Sequence, residues 1–178
     1  MPPIALIFTV TGAALWVIST YFLGWGSRPA EGSGPDPLRT VGVAALVAGL
    51  VDIIQAVYIV AARPDPLGEQ AVVLSGLVGF YGLFFTVVGV AAIWGMDLRP
   101  VGNLAIVVGV VPLFWWNFFA GGWLFRSILV VWAVAFLAVT LTVYARLSPR
   151  ALGAILLATS VYTFFVPPVL LALGRAIP

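Results

Sequence analysis

The 178-residue chain has no cysteine, no histidine and no lysine, and its eight arginines and six carboxylates amount to only 8% of the residues. Without cysteine there is no disulfide framework, no thiolate nucleophile and no thiol redox centre. Without histidine the commonest metal ligand and general base is missing. No serine can be paired with a histidine base and no two carboxylates fall together in the apolar stretches, so the sequence points away from an enzyme and calls for no metal or cofactor. The arginines are scattered and cannot follow a phosphate backbone, which removes nucleic acid as an expected partner. The same shortage of charge decides the solvent. With 63% of its residues hydrophobic, a globule of this size could not cover its outside with polar groups, and the solvent that fits is lipid.

A helix needs roughly 20 mainly apolar residues to cross about 30 Å of hydrocarbon. The chain supplies that length six times, near Ile4 to Leu23, Thr40 to Ala61, Ala71 to Trp94, Val101 to Ala120, Trp123 to Tyr144 and Ala151 to Leu173. The first run has no basic segment before it and no small-residue cleavage site, so it reads as a retained membrane helix. Between the runs lie the stretches that collect charge, proline and glycine: GWGSRPAEGSGPDPLR, ARPDPLGEQ, GMDLRP, Gly121-Gly122 and ARLSPR. Connections this short make neighbouring helices antiparallel and leave no room for a soluble domain. The expected fold is a single all-α membrane domain over residues 1–178, six transmembrane helices in an antiparallel bundle. Arg28, Arg39, Arg99, Arg146 and Arg150 fall on one side, and Arg63, Arg126 and Arg175 on the other. Positive charge is retained in the cytoplasm, so both termini are expected outside it.

Few residues inside the runs could carry chemistry. Asp52 and Gln55 share a face of the second helix, with Asp52 near mid-span, where a charged aspartate costs about 2.5 to 3.5 kcal/mol. It must be protonated, paired or facing water. Two readings stay open for it, a polar lining for a solute path and an interhelical hydrogen bond that fixes the bundle. Arg126 lies just inside helix five and can reach back to the interface; its depth argues against pairing with Asp52. Pro112 interrupts helix four, and Pro167 with Pro168 interrupts helix six, each depriving a carbonyl of its usual donor. Trp132 and Phe136, spaced i, i+4, share a face of helix five, either as core packing or as an aromatic slot that selects by width. Recurrent small residues, Gly42, Ala45, Gly49, Gly76, Gly79 and Gly82, allow close helix packing.

Three stretches resemble the AmiS/UreI family of urea channels and amide transporters: GAAL from Gly12, YGLFFT from Tyr81, and the turn from Gly95 to Pro100, similar to the family's Gly-Leu-Asp-x-Arg-Pro. The Gly121-Gly122-Trp123 turn, the pair Trp132 and Phe136, and Thr163 with Pro167 extend the resemblance along the chain. It implies a hexameric ring of protomers in a bacterial inner membrane, each with its own narrow passive channel for urea or short amides. By resemblance the pore lining falls on Phe8, Leu15, Phe85, Trp132, Phe136 and Thr159. The chain also departs from the family. A membrane-embedded glutamate is replaced by Thr159, an asparagine near the end of helix three is absent around Ala92, Ile93 and Trp94, and no loop histidine exists for acid gating. Asp52 with Gln55 is the polarity available in exchange.

The sequence thus leads to a passive facilitator for urea, short aliphatic amides or similar small neutral solutes. Two rivals stand beside it: a non-transporting scaffold or regulatory subunit, and a proton-coupled transporter using Asp52. Facilitated flux into proteoliposomes separates the first from the second, and dependence on a pH gradient separates it from the third.

Overall fold

Proline opens several of the helices, because its fixed φ suits the first turn and its missing N–H is not needed there. Helix α2 (Pro37–Ala62) starts at Pro37, with the Asp36 side chain accepting the Leu38 N–H at 2.9 Å. The last helix starts at Pro149, with the Ser148 hydroxyl accepting from the Ala151 N–H at 3.2 Å. Helices α2 and α3 (Gln70–Trp94) stop on left-handed residues, Arg63 (φ 42°) and Gly95 (φ 64°), and the first helix runs into Gly24 at φ 83°; glycine takes a positive φ without the Cβ penalty that Arg63 bears.

The computed structural model describes residues 3–25, 36–65 and 67–178, so Arg28 and most of the first loop lie outside the described residues. Alongside α2 and α3 stand α1 (Pro3–Leu23), α4 (Arg99–Val110, continuing as a 3₁₀ segment over Val111–Asn117) and α5 (Trp123–Val143). The sixth span, α6, runs from Pro149 to Ala172 and contains a π-helical stretch over Ser160–Phe165. All six are long and apolar enough to cross a membrane, and no strand occurs among the described residues. The distortions fall beside the prolines that demanded them. A missing N–H at Pro112 tightens the end of α4, and the missing donors at Pro167 and Pro168 leave carbonyls that the preceding turn accommodates by widening. Pro112 and Pro167 are both fully buried.

Each helix packs on the one before and the one after it, and α6 closes back on α1, so the six form a ring. The tightest seam joins α2 to α3. A Cβ on Gly49 would stand 2.8 Å from the Gly82 carbonyl oxygen, and one on Gly89 would stand 2.7 Å from the Gly42 carbonyl oxygen. Gly42 and Gly49 therefore meet Gly89 and Gly82 in antiparallel register, with backbones in direct contact. Hydroxyls tie other seams: Ser160 Oγ donates to the Gly12 carbonyl between α6 and α1 (2.9 Å), and Thr140 Oγ1 to the Gly102 carbonyl between α5 and α4 (2.9 Å). The outward faces carry apolar side chains that lipid can solvate, such as Val47, Ile54, Ile106, Phe114, Val134 and Val161.

Candidate solute pathway

Large side chains pointing inward do not close the ring of six helices completely, and among the described residues two cavities lie inside it. The first, about 50 Å³, lies toward the start of α1 and α5, where Ile4, Phe8 and Phe125 line it. The second, about 100 Å³, lies toward the other membrane face, bounded by Phe22, Leu98, Val101 and Leu152. Both exceed the roughly 10 to 15 Å³ that accommodates one water. Four side chains line both cavities: Tyr81 and Phe85 of α3, Trp132 of α5 and Phe164 of α6. They form an aromatic diaphragm between two chambers strung along the ring axis.

The diaphragm is held by ring-on-ring contacts. Trp132 stacks on Phe164 with centroids 5.4 Å apart and meets Tyr81 edge-on at 4.4 Å. Tyr81 stacks on Phe136 at 5.7 Å, and Phe136 meets Phe84 edge-on at 4.8 Å. The indole N–H of Trp132 donates to Thr163 Oγ1 at 3.0 Å, which fixes the indole's rotation. Thr163 in turn donates to the Thr159 carbonyl inside the π-widened stretch.

Polarity in the two chambers is unequal. Asp52 lines the first, buried at 1% exposure, with Oδ1 accepting from the Thr11 hydroxyl at 2.9 Å. This bond joins α2 to α1. No donor among the described residues reaches Oδ2, and no cation is paired with the carboxyl. Arg126, on the same side of the bundle, instead donates from Nε to the Trp116 carbonyl at 3.1 Å and lies over the Trp116 ring. The second chamber has an aliphatic and aromatic wall. Thr159 contributes to it, but its hydroxyl is turned to the Ile155 carbonyl at 2.8 Å.

Of the residues singled out from the sequence, Phe8 and Asp52 line the first chamber, Leu15, Phe136 and Thr159 the second, and Phe85 and Trp132 both. Gln55 lines neither and is only half-buried. Three residues turn a helix about 60° short of a full revolution, enough to take Gln55 off the line that Asp52 faces. Sequence reasoning missed Tyr81 and Phe164 as lining residues. Tyr81 lies four residues before Phe85, on the same helical face, and that spacing was the available signal. Phe164 reaches the axis through the widened turn, which residue spacing did not announce.

Six membrane spans closed into a ring around two axial chambers define a membrane transport protein. The model of the AmiS/UreI family transporter matches residues 34–175, and the chain belongs to that family. The resemblance read from the short motifs is thereby borne out. Two solved structures share the fold. The cryo-electron microscopy structure of the Helicobacter pylori urea channel in its closed state has a TM-score of 0.79 at 13% identity, covering 98% of this chain and 100% of that one. The crystal structure of the urea channel from Helicobacter pylori, described as a human gastric pathogen, has a TM-score of 0.73 at 13% identity, covering 96% and 97%. No curated protein matches the chain in sequence.

Proposed function

We propose that the protein conducts urea, short aliphatic amides or similar small neutral solutes passively along the axis of its helix ring. The observation that carries this reading is the pair of axial chambers separated by one layer of aromatic rings. A neutral planar solute sheds part of its water, exchanges hydrogen bonds with Asp52 and Thr11 in the first chamber, and slides between Tyr81, Phe85, Trp132 and Phe164 into the second. Phe8, Leu15, Phe136 and Thr159 supply the remaining wall. Ions are rejected because an otherwise apolar wall with a single carboxyl does not repay the loss of their hydration. Family membership and the fold shared with the Helicobacter pylori urea channel support the solute class.

The same reading places the protein in a bacterial cytoplasmic membrane with both termini outside, following the arginine distribution, and in a homo-oligomer, a hexamer by family resemblance. Stopped-flow light scattering on proteoliposomes under a urea or acetamide gradient tests the conduction. A rate above that of empty vesicles, unaffected by a pH gradient, is expected; equal rates would refute the reading. A reporter fused to the C-terminus checks the topology, and native mass spectrometry in detergent checks the assembly.

A further inference from the structure

The oxygen of Tyr81 has no function in the fold. The residue is 7% exposed and its hydroxyl has no hydrogen-bonding partner, although it is enclosed by protein. Its ring is already fixed by the edge contact with Trp132 and by stacking on Phe136, with the ring planes 11° apart. Phenylalanine would make the same contacts without burying an unsatisfied hydroxyl, which always costs stability. The rest of the diaphragm follows that logic, since Phe85 and Phe164 present hydrocarbon only.

The indole and threonine groups beside the crossing are occupied, and Thr86 Oγ1, likewise without a partner, is packed against Gly49 of α2 instead. The Trp132 N–H is bonded to Thr163, the Thr163 hydroxyl to the Thr159 carbonyl, and the Thr159 hydroxyl to the Ile155 carbonyl. A solute leaving Asp52 for the second chamber would therefore give up its hydrogen bonds at the diaphragm and find no uncommitted donor beyond it. The Tyr81 ring lines both chambers at that crossing; its oxygen is closed off by protein in this state, so an acceptor meets it only as a solute parts the rings, when the phenolic O–H can turn about its C–O bond.

We propose that the Tyr81 hydroxyl is the hydrogen-bonding element of the diaphragm and makes the channel favour solutes with a strong carbonyl acceptor. The proposal rests on the conduction reading above and adds a specificity-determining residue to it. The hydroxyl is left unpaired in the resting wall so that its partner is the solute, and the crossing barrier falls for molecules that can accept its proton. A thiocarbonyl, whose sulfur accepts weakly, gains less.

The full-length protein and Tyr81→Phe, each reconstituted in vesicles, are compared under urea and thiourea gradients, with thermal unfolding in detergent measured alongside. Tyr81→Phe should lower urea permeability about three- to tenfold and lower the urea-to-thiourea ratio with it, while the melting temperature holds or rises. An unchanged ratio overturns the proposal even if total flux drops, since a ring that merely packs would alter both solutes alike. A lower melting temperature also overturns it, because the hydroxyl would then have a structural partner. Should wild-type vesicles pass neither solute faster than empty ones, the conduction reading falls and this proposal with it. A conducting wild type with an unaltered ratio in Tyr81→Phe removes Tyr81 alone.

Discussion

Replacing Asp52 separates the two readings that its position left open. In Asp52→Leu the first chamber loses the carboxyl that accepts from Thr11 and whose second oxygen has no donor among the described residues. One hydrogen bond contributes about 0.5 to 1.5 kcal/mol net, and 1.4 kcal/mol is a factor of ten in a rate. Urea flux through Asp52→Leu should therefore fall about two- to tenfold. Asp52→Asn keeps an oxygen for Thr11 and offers an uncharged amide to the chamber, so its flux should stay within about twofold of wild type, less than one such bond is worth. Proton-coupled transport would instead be abolished in Asp52→Asn, where nothing titrates. Loss of the Thr11 bond also loosens α1 from α2, by about 0.6 kcal/mol on the average for interhelical bonds in membranes, a change readable in thermal unfolding. Stopped-flow scattering at matched protein-to-lipid ratio supplies the rates. Wild-type flux in Asp52→Leu would refute the assignment of Asp52 to the solute path and leave it only the helix-joining bond.

Other consequences follow from the packing. Gly89→Ala should destabilise the protein by about 1 to 3 kcal/mol in detergent unfolding, because its Cβ would stand 2.5 Å from the Leu46 nitrogen and 2.7 Å from the Gly42 carbonyl oxygen. Gly76→Ala, whose Cβ meets nothing within 4 Å, should be neutral or gain up to about 1 kcal/mol. Trp132→Phe removes both the fused ring from the diaphragm and the bond to Thr163, so propionamide should gain on urea in competitive flux; an unchanged ratio places the size filter elsewhere. In the loop before α4, hydrogen bonds from the Arg99 side chain hold the Asp97 carboxyl below the usual carboxylate range. The stabilisation from this exposed pair is present above the unfolded pKa, about 3.9, and is lost as pH falls through the lowered folded value. An NMR titration of Asp97 should show a midpoint below that reference.

Much of the fold was readable because lipid imposes a simple rule on composition. A run of about 20 apolar residues with its charge at the ends is a span wherever it occurs, and the short loops after Trp94 and Ala120 leave consecutive spans only antiparallel packing. Short motifs such as the turn from Gly95 to Pro100 were enough to point to the family. Spacing also marked Trp132 with Phe136 and isolated Asp52, because a carboxylate at mid-span or two rings on one face are local facts of sequence.

What a side chain meets across the bundle is not local. Thr11 and Asp52 are 41 positions apart and Trp132 and Thr163 are 31 apart, and no periodicity within either helix states that they bond. The aromatic diaphragm needs three helices brought to one depth, the glycine seam that sets the α2–α3 distance, and a π-widened turn that places Phe164. By itself the sequence determined the solvent, the number of spans and the polarity available, since these follow from the transfer of each residue between water and lipid. Only the tertiary structure decided which of those residues share a chamber, because helix rotation and depth are fixed jointly by every neighbour in the closed ring.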